Sequence, residues 1–146
     1  MISFKKLDER AKIPTRAHTD DAGLDLYCME RVTLYPFVPT KIKTGVATDC
    51  IYSGEVGIIE EKSGLASKGI ARLGGVIDAS YRGDITVCLI LLCPTDEHGR
   101  PYKHTFEPGD KIAQLVIYKI RTDETRETDI IYDTPRGAAG FGSTGR

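Results

Sequence analysis

The chain contains no tryptophan, and aromatics make up only 8% of its 146 residues, which leaves little for a surface that stacks the bases of a single strand. Neither sign of charge is in excess. Twenty Lys and Arg stand against 21 Asp and Glu, a net charge of −1, so there is no global field to hold a nucleic-acid backbone. No long hydrophobic run is present: the longest, Val87–Cys93, falls far short of the ~18 residues that a bilayer helix needs. The first ten residues, Met1 to Arg10, are charged early and lack an apolar stretch. They do not read as a secretory signal, which predicts an intracellular protein of the cytoplasm or nucleus rather than a secreted one. What is there, 40% hydrophobic and 28% charged residues over one domain's length, describes a small soluble domain that binds neither nucleic acid nor membrane.

The four cysteines, Cys28, Cys50, Cys88 and Cys93, could make two disulfides, but without a secretory signal they read as reduced, buried structural thiols. A zinc site from Cys88, Cys93, His98 and His104 fails on spacing. Residues 87–93 read as a strand, and positions 88 and 93, an odd number apart, point to opposite faces unless a bulge intervenes.

Short β-favouring runs alternate with turn signals: Val32–Val38, Ile42–Thr48, Glu55–Ile59, Asp84–Leu92, Lys111–Tyr118 and Asp129–Tyr132. Pro36 falls inside the first and predicts an edge or bulge. The only short helical stretch is Ser63–Gly69, about two turns, with Ser63 as cap and Gly69 as stop. Many short strands with almost no helix predict an all-β sandwich, jelly roll or barrel. There is no internal repeat and no linker. The charged stretch Arg121–Thr128 reads as a solvated connection.

Four segments could carry chemistry. The tail Arg136-Gly-Ala-Ala-Gly-Phe-Gly-Ser-Thr-Gly145 is too glycine-rich to pack a core. Its backbone amides, hydroxyls, arginine and phenylalanine suit either an arm that orders on a phosphate ligand or an idle terminus. Lys62 and Ser63 precede the short helix, as an anion cradle or an ordinary cap. Asp78 and Tyr81 sit in Gly74-Gly-Val-Ile-Asp-Ala-Ser-Tyr-Arg-Gly-Asp84, a hairpin tip offering a general base beside a ring, or only a turn. Asp20, Asp21 and Asp25 cluster beside a glycine, where magnesium could be held through water and substrate phosphates, or where a surface turn needs them. Together these make up a nucleoside-phosphate site.

In order and wording, five segments strongly resemble the motifs of the trimeric dUTP pyrophosphatase (dUTPase) family. They are Asp21-Ala-Gly-Leu-Asp-Leu26, Lys62-Ser-Gly-Leu-Ala66, Gly75-Val-Ile-Asp-Ala-Ser-Tyr-Arg-Gly83, Gly109-Asp-Lys-Ile-Ala-Gln-Leu115 and the tail from Arg136 to Gly145. The match runs from about residue 10 to the end. The resemblance implies a distorted jelly-roll (β-clip) body over residues 1–134 with one short helix, and a flexible arm over residues 135–146. It also implies a homotrimer whose active sites are shared between chains. Its implied reaction is hydrolysis of dUTP to dUMP and pyrophosphate, keeping uracil out of DNA and supplying dUMP for dTTP synthesis.

Carried over position by position, Asp78 would be the general base for attack of water on the α-phosphorus. Tyr81 would pack under the deoxyribose, and the hairpin from Gly75 through Ile77 would pair with uracil. Lys62, Ser63, Gly64 and Gln114 would bind phosphates. From the arm, Arg136, Gly142, Ser143 and Thr144 would close over them while Phe141 stacks on the base. Asp25 would hold a water of the Mg²⁺ that the phosphates chelate.

Two departures stand out. The family's second motif usually begins Pro-Arg-Ser-Gly, where this chain has Glu61-Lys62-Ser63-Gly64; lysine keeps the charge but loses the bidentate fork. The third motif commonly has a second acid where this chain has Ser80. Retention of Asp78, Tyr81 and the arm favours a working pyrophosphatase over a dUTPase-like regulatory or protein-binding module. A related deoxycytidine nucleotide deaminase would need an acid/base motif that is not recognisable in this chain. The segment from Cys93 to Thr105 matches no motif and reads as a surface loop or a partner site.

Overall fold

A computed structural model describes residues 2–139. The described chain is all-β with one turn of helix. Its elements are β1 (Phe4–Lys6), β2 (Leu24–Tyr27), β3 (Val32–Leu34), β4 (Thr40–Lys43), β5 (Val46–Thr48), β6 (Glu55–Glu60), α1 (Ser63–Ala66), β7 (Ile70–Arg72), β8 (Val76–Asp78), β9 (Thr86–Leu91), β10 (His104–Phe106) and β11 (Lys111–Lys119). Every strand ladder is antiparallel. A four-stranded sheet runs β2-β11-β6-β8 and a three-stranded one β4-β9-β7, with two-stranded β1-β5 and β10-β3 alongside. They enclose one core, the distorted jelly roll that the resemblance implies.

Period-two patterning builds that core. Along β9, Val87, Leu89 and Leu91 are buried while the residues between them are half-buried, so one face of the strand lies inward. Leu26, Leu34, Ile42, Ile59, Ile70, Ile85, Ile112 and Leu115 join them. Gly57 on β6 is required by packing: a Cβ there would come 2.7 Å from Ile51 Cδ1 and 3.0 Å from Leu115 Cδ1.

Three expectations are corrected. Ile42–Thr48 is not one strand but two, β4 and β5, divided at Thr44 and Gly45. Gly45 takes φ 69°, its N–H donates to Asp84 Oδ1 at 3.0 Å, and Thr44 Oγ1 donates to the Ile85 carbonyl at 2.6 Å. Asp129–Tyr132 is not a strand: nothing pairs with it among the described residues, and Ile131 and Tyr132 are 88% and 87% exposed. The helix is one turn, not two, and its N-cap is Lys62, with Ser63 already inside and no side-chain cap bond. It ends at Ala66 with Ser67 as its C-cap, not at Gly69, whose φ of 72° turns the chain into β7, where Ile70 pairs with Leu91.

Strands β1, β2, β7, β8 and β10, of three or four residues each, are too short to register as patterns. Pro36 makes only an isolated bridge, to Leu91. Cys28 and Cys50 are buried as expected, but Cys88 and Cys93 are only half-buried. No helix among the described residues is long and apolar enough to cross a membrane.

Candidate active site

Two separate hollows of the described chain gather the candidate side chains; Asp78 and Ser80 also line a third, more open one with Glu55, Arg82 and Thr122. The first, of about 350 Å³, is lined by Lys62, Ser63, Gly64, Leu65, Lys68, Lys111 and Gln114. It forms where the chain leaves β6 for α1 beside β11. As the first residues of a helix, Ser63 and Gly64 have no acceptor within it for their N–H groups. Gly64 also stands in open space, with nothing within 4 Å of where a Cβ would lie. Gln114 is aimed by two contacts: its Nε2 donates to the Glu61 carbonyl at 3.1 Å, and Gly23 leaves room for its side chain that a Cβ would fill.

A β-bulge decides which side chains meet here. Lys111 pairs with Tyr27, Ala113 with Leu26 and Gln114 with Asp25, so Ile112 is an extra residue on β11. Positions 111 and 114 would point to opposite faces of a regular strand. The bulge turns both to the face of Asp25, while Ile112 and Ala113 are both buried.

Asp25, predicted to hold a metal-bound water, is a buried carboxylate clamped by two lysines. Lys62 Nζ lies 2.5 Å from Oδ1 and Lys111 Nζ 2.6 Å from Oδ2. Burial pushes its pKa up, and the hydrogen bonds from Lys111 and Lys62 outweigh that, so the carboxyl sits below its ordinary value. The same contact raises the Lys111 ammonium. Each carboxylate oxygen keeps accepting capacity beyond one lysine. Among the described residues no group of three or more His, Cys, Asp or Glu could cage a metal. A single carboxylate with spare accepting capacity fits a hydrated magnesium ion held through one of its waters.

The second hollow, of about 220 Å³, is lined by Val76, Ile77, Asp78, Tyr81, Asp84 and Thr86. Gly74 (φ 72°) and Gly75 (φ 112°) swing the chain into β8, and the Gly75 carbonyl accepts from Ile59 N–H at 2.8 Å. Ile77 is buried and anchors the strand, leaving Asp78 exposed at its end. A turn closes there: Tyr81 N–H donates to the Asp78 carbonyl at 3.0 Å, and Arg82 donates to the Ala79 and Tyr81 carbonyls. Tyr81 Oη donates to the Asp84 carbonyl at 3.0 Å, and the ring lies so close to Gly83 that a Cβ there would be 2.6 Å from Tyr81 Cζ. Ser80 is exposed beside it.

The two hollows lie at opposite ends of β6. Asp78 pairs with Val56, whereas Gln114 pairs with Glu60, and β8 and β11 flank β6 on opposite sides. At ~3.3 Å per residue and ~4.8 Å between strands, the separation is about 16 Å. A single chain therefore brings Lys62, Ser63, Gly64, Gln114 and Asp25 together, and separately Gly75, Ile77, Asp78 and Tyr81, but does not join the two sets. Arg136 is exposed, its Nε donating to the Ala139 carbonyl at 3.1 Å, and it joins neither. Phe141, Gly142, Ser143 and Thr144 lie outside the described residues. Sequence reasoning missed Lys111, Lys68, Asp84 and Thr86. Lys111 stands inside the fourth motif, but only the bulge reveals its direction.

Comparison with known proteins places the whole chain in a family. A dUTPase family model matches residues 9–145. A deoxyuridine 5′-triphosphate nucleotidohydrolase of Corynebacterium diphtheriae is 40% identical over 148 residues, covering 99% of this chain and 93% of the relative. One from Rhodococcus erythropolis is 40% identical, covering 99% and 85%. Among solved structures, a variant of the Staphylococcus bacteriophage 80alpha dUTPase with dUpNHpp superposes with TM-score 0.89 at 30% identity, covering 100% of this chain and 99% of that one. A variant of the phage phi11 dUTPase of S. aureus, described with a structural Mg(II) ion, gives TM-score 0.78 at 31% identity, covering 89% and 97%. With nearly its whole length matched by the family model and by these relatives, the chain belongs to the dUTPase family.

Proposed function

We propose that this protein is a dUTP diphosphatase that hydrolyses dUTP to dUMP and pyrophosphate, in active sites assembled from several copies of the chain. One observation carries the shared-site reading. Each hollow has the residue types for one half of a nucleotide, yet about 16 Å separates the two within a chain. The first hollow, with its lysines, hydroxyl and amide, suits the triphosphate; the second, with a carboxylate and a ring on a pinned turn, suits the nucleoside and its attacking water. A closed homotrimer juxtaposes the first hollow of one copy with the second hollow of the next.

Within that site, uracil lies along the hairpin backbone from Gly75 to Tyr81, and Tyr81 packs under the deoxyribose, leaving no room for a ribose 2′-hydroxyl. Asp78 accepts a proton from the attacking water as its oxygen bonds the α-phosphorus. The bond to the bridging oxygen breaks, and pyrophosphate leaves. Ser63, Gly64, Gln114 and Lys62 hold the phosphates through the step. Lys62 gives a point contact where the family's usual arginine gives a fork, so it contributes charge more than geometry. When bound, Mg²⁺ neutralises phosphate charge and supplies a Lewis acid, with Asp25 as its outer contact.

Residues 135–146 form the arm, in which Arg136, Gly142, Ser143 and Thr144 close over the phosphates and Phe141 covers the uracil. This division is supported by the exposed course of the chain from Arg121 to Ala139, which pairs with no strand among the described residues of its own copy. Cys28 is a thiol donating to the Glu30 carbonyl, which suits the reducing interior of a cell.

The test is pyrophosphate release from dUTP, dCTP, dTTP and UTP with Mg²⁺, repeated with Asp78→Asn. Turnover of dUTP alone, lost in the variant, is the expected result. No turnover of dUTP by the wild-type protein refutes the proposal.

A further inference from the structure

Asp25 carries two cations where one would balance its charge. Its side chain is 7% exposed, and Lys62 and Lys111 take different oxygens of the carboxylate. A buried carboxylate stripped of its only cation is left uncompensated, at a cost that would hold that cation in place. With two, either can leave while the other keeps the charge paired. The two lysines are anchored differently. Lys111 is fixed in the β11 ladder opposite Tyr27. Lys62 lies in the connection between β6 and α1, with extended backbone, next to Ser63 and Gly64 of the same hollow.

We propose that Lys62 is an exchangeable counter-ion: it is parked on Asp25 Oδ1 in the free protein and transfers to the phosphates when nucleotide binds, while Lys111 stays on Oδ2. The exchange rests on reading the first hollow as the triphosphate site. It frees the lone pair of Oδ1 that Lys62 occupies as the nucleotide arrives, adding to the accepting capacity that Asp25 offers a metal-bound water. Lys111 is then a positioning residue, holding Asp25 charged and in place through the exchange.

Parking has a thermodynamic signature. Nucleotide must break the Asp25–Lys62 pair, so removing the acid releases Lys62 in advance. The measurement is equilibrium binding of a non-hydrolysable imido analogue of dUTP in EDTA, where no metal contributes. Asp25→Asn should tighten binding about tenfold, the size of one charge-assisted hydrogen bond discounted for exposure, and less than about twofold when Lys62→Gln is already present. The same cycle against Lys111→Gln should show no such coupling. An equal gain from Asp25→Asn in both Lys62 backgrounds means a field effect only and overturns the exchange; coupling to Lys111 in place of Lys62 overturns the assignment.

Because Asp25→Asn could unsettle the fold, the wild-type protein supplies an independent readout in the ¹⁵N spectrum of its lysine ammonium groups. The resonance lost in Lys62→Gln should move on adding the analogue, and the one lost in Lys111→Gln should stay. If the Lys62 resonance stays fixed while the analogue binds, the proposal fails. Absence of analogue binding to wild-type protein with Mg²⁺ present refutes the functional reading, and the exchange with it.

Discussion

If Asp78 and the first hollow act together only across a subunit boundary, two inactive variants should rescue each other. Asp78→Asn removes the proposed base, and Gln114→Ala removes a proposed phosphate ligand about 16 Å away in the same chain. Each variant alone has three identical defective sites and should lose at least about 10²-fold in kcat/KM. Co-expressed in equal amounts, they assort at random into trimers. A site is intact when the chain giving Asp78 carries the Gln114 change and the chain giving the hollow carries the Asp78 change. Each condition is met in half of cases, so about one quarter of the sites in a closed ring are fully functional. Pyrophosphate release from the co-expressed mixture should therefore reach about one quarter of the wild-type rate per chain. Separately purified variants mixed without exchange of subunits should stay inactive. A co-expressed mixture no more active than its components would place both residues in one chain's site and refute the separation argument.

Gly57→Ala forces a methyl against Ile51 and Leu115 and should cost ~1–3 kcal/mol in urea unfolding, compared at fixed protein concentration because the proposed trimer would make unfolding concentration-dependent. Gly23→Ala displaces the Gln114 side chain and should raise KM for dUTP, with the circular dichroism of the folded protein unchanged. Tyr81→Ala should narrow the preference for dUTP over UTP in competition assays, by opening space beneath the sugar. The clamp on Asp25 sets a pH dependence. Its folded pKa lies below the ordinary value, so its stabilisation is present above the unfolded pKa near ~3.9 and is lost as pH falls through the folded one. The difference in Tm between wild type and Asp25→Asn should therefore be full at neutral pH and shrink on acidification; a difference that grows instead contradicts the assigned direction.

The class of the fold was legible because strand periodicity and turn chemistry are local: Val87, Leu89 and Leu91 announce their shared face two residues at a time. The short strands were not legible, since three residues such as Ile70–Arg72 hold too little pattern and are strands only because β9 pairs with them. Asp129–Tyr132 has the pattern but finds no strand partner among the described residues. Ser63 looked like a cap by residue type, but the cap position fell to Lys62 because β6 and β7 fix where the single turn sits between them.

By itself the sequence determined the chemistry on offer: five motif segments carrying a carboxylate, a ring, hydroxyls, cations and a glycine-rich arm, in an order matched by the family along nearly the whole chain. Tertiary structure decided who meets whom. The extra residue at Ile112 turns Lys111 onto Asp25, a contact that strand parity forbids and no reading of residue types could supply. The length of β6 sets Asp78 apart from the first hollow of its own chain, because a strand is a rigid spacer whose reach follows from pairing register, and register is a property of the folded sheet.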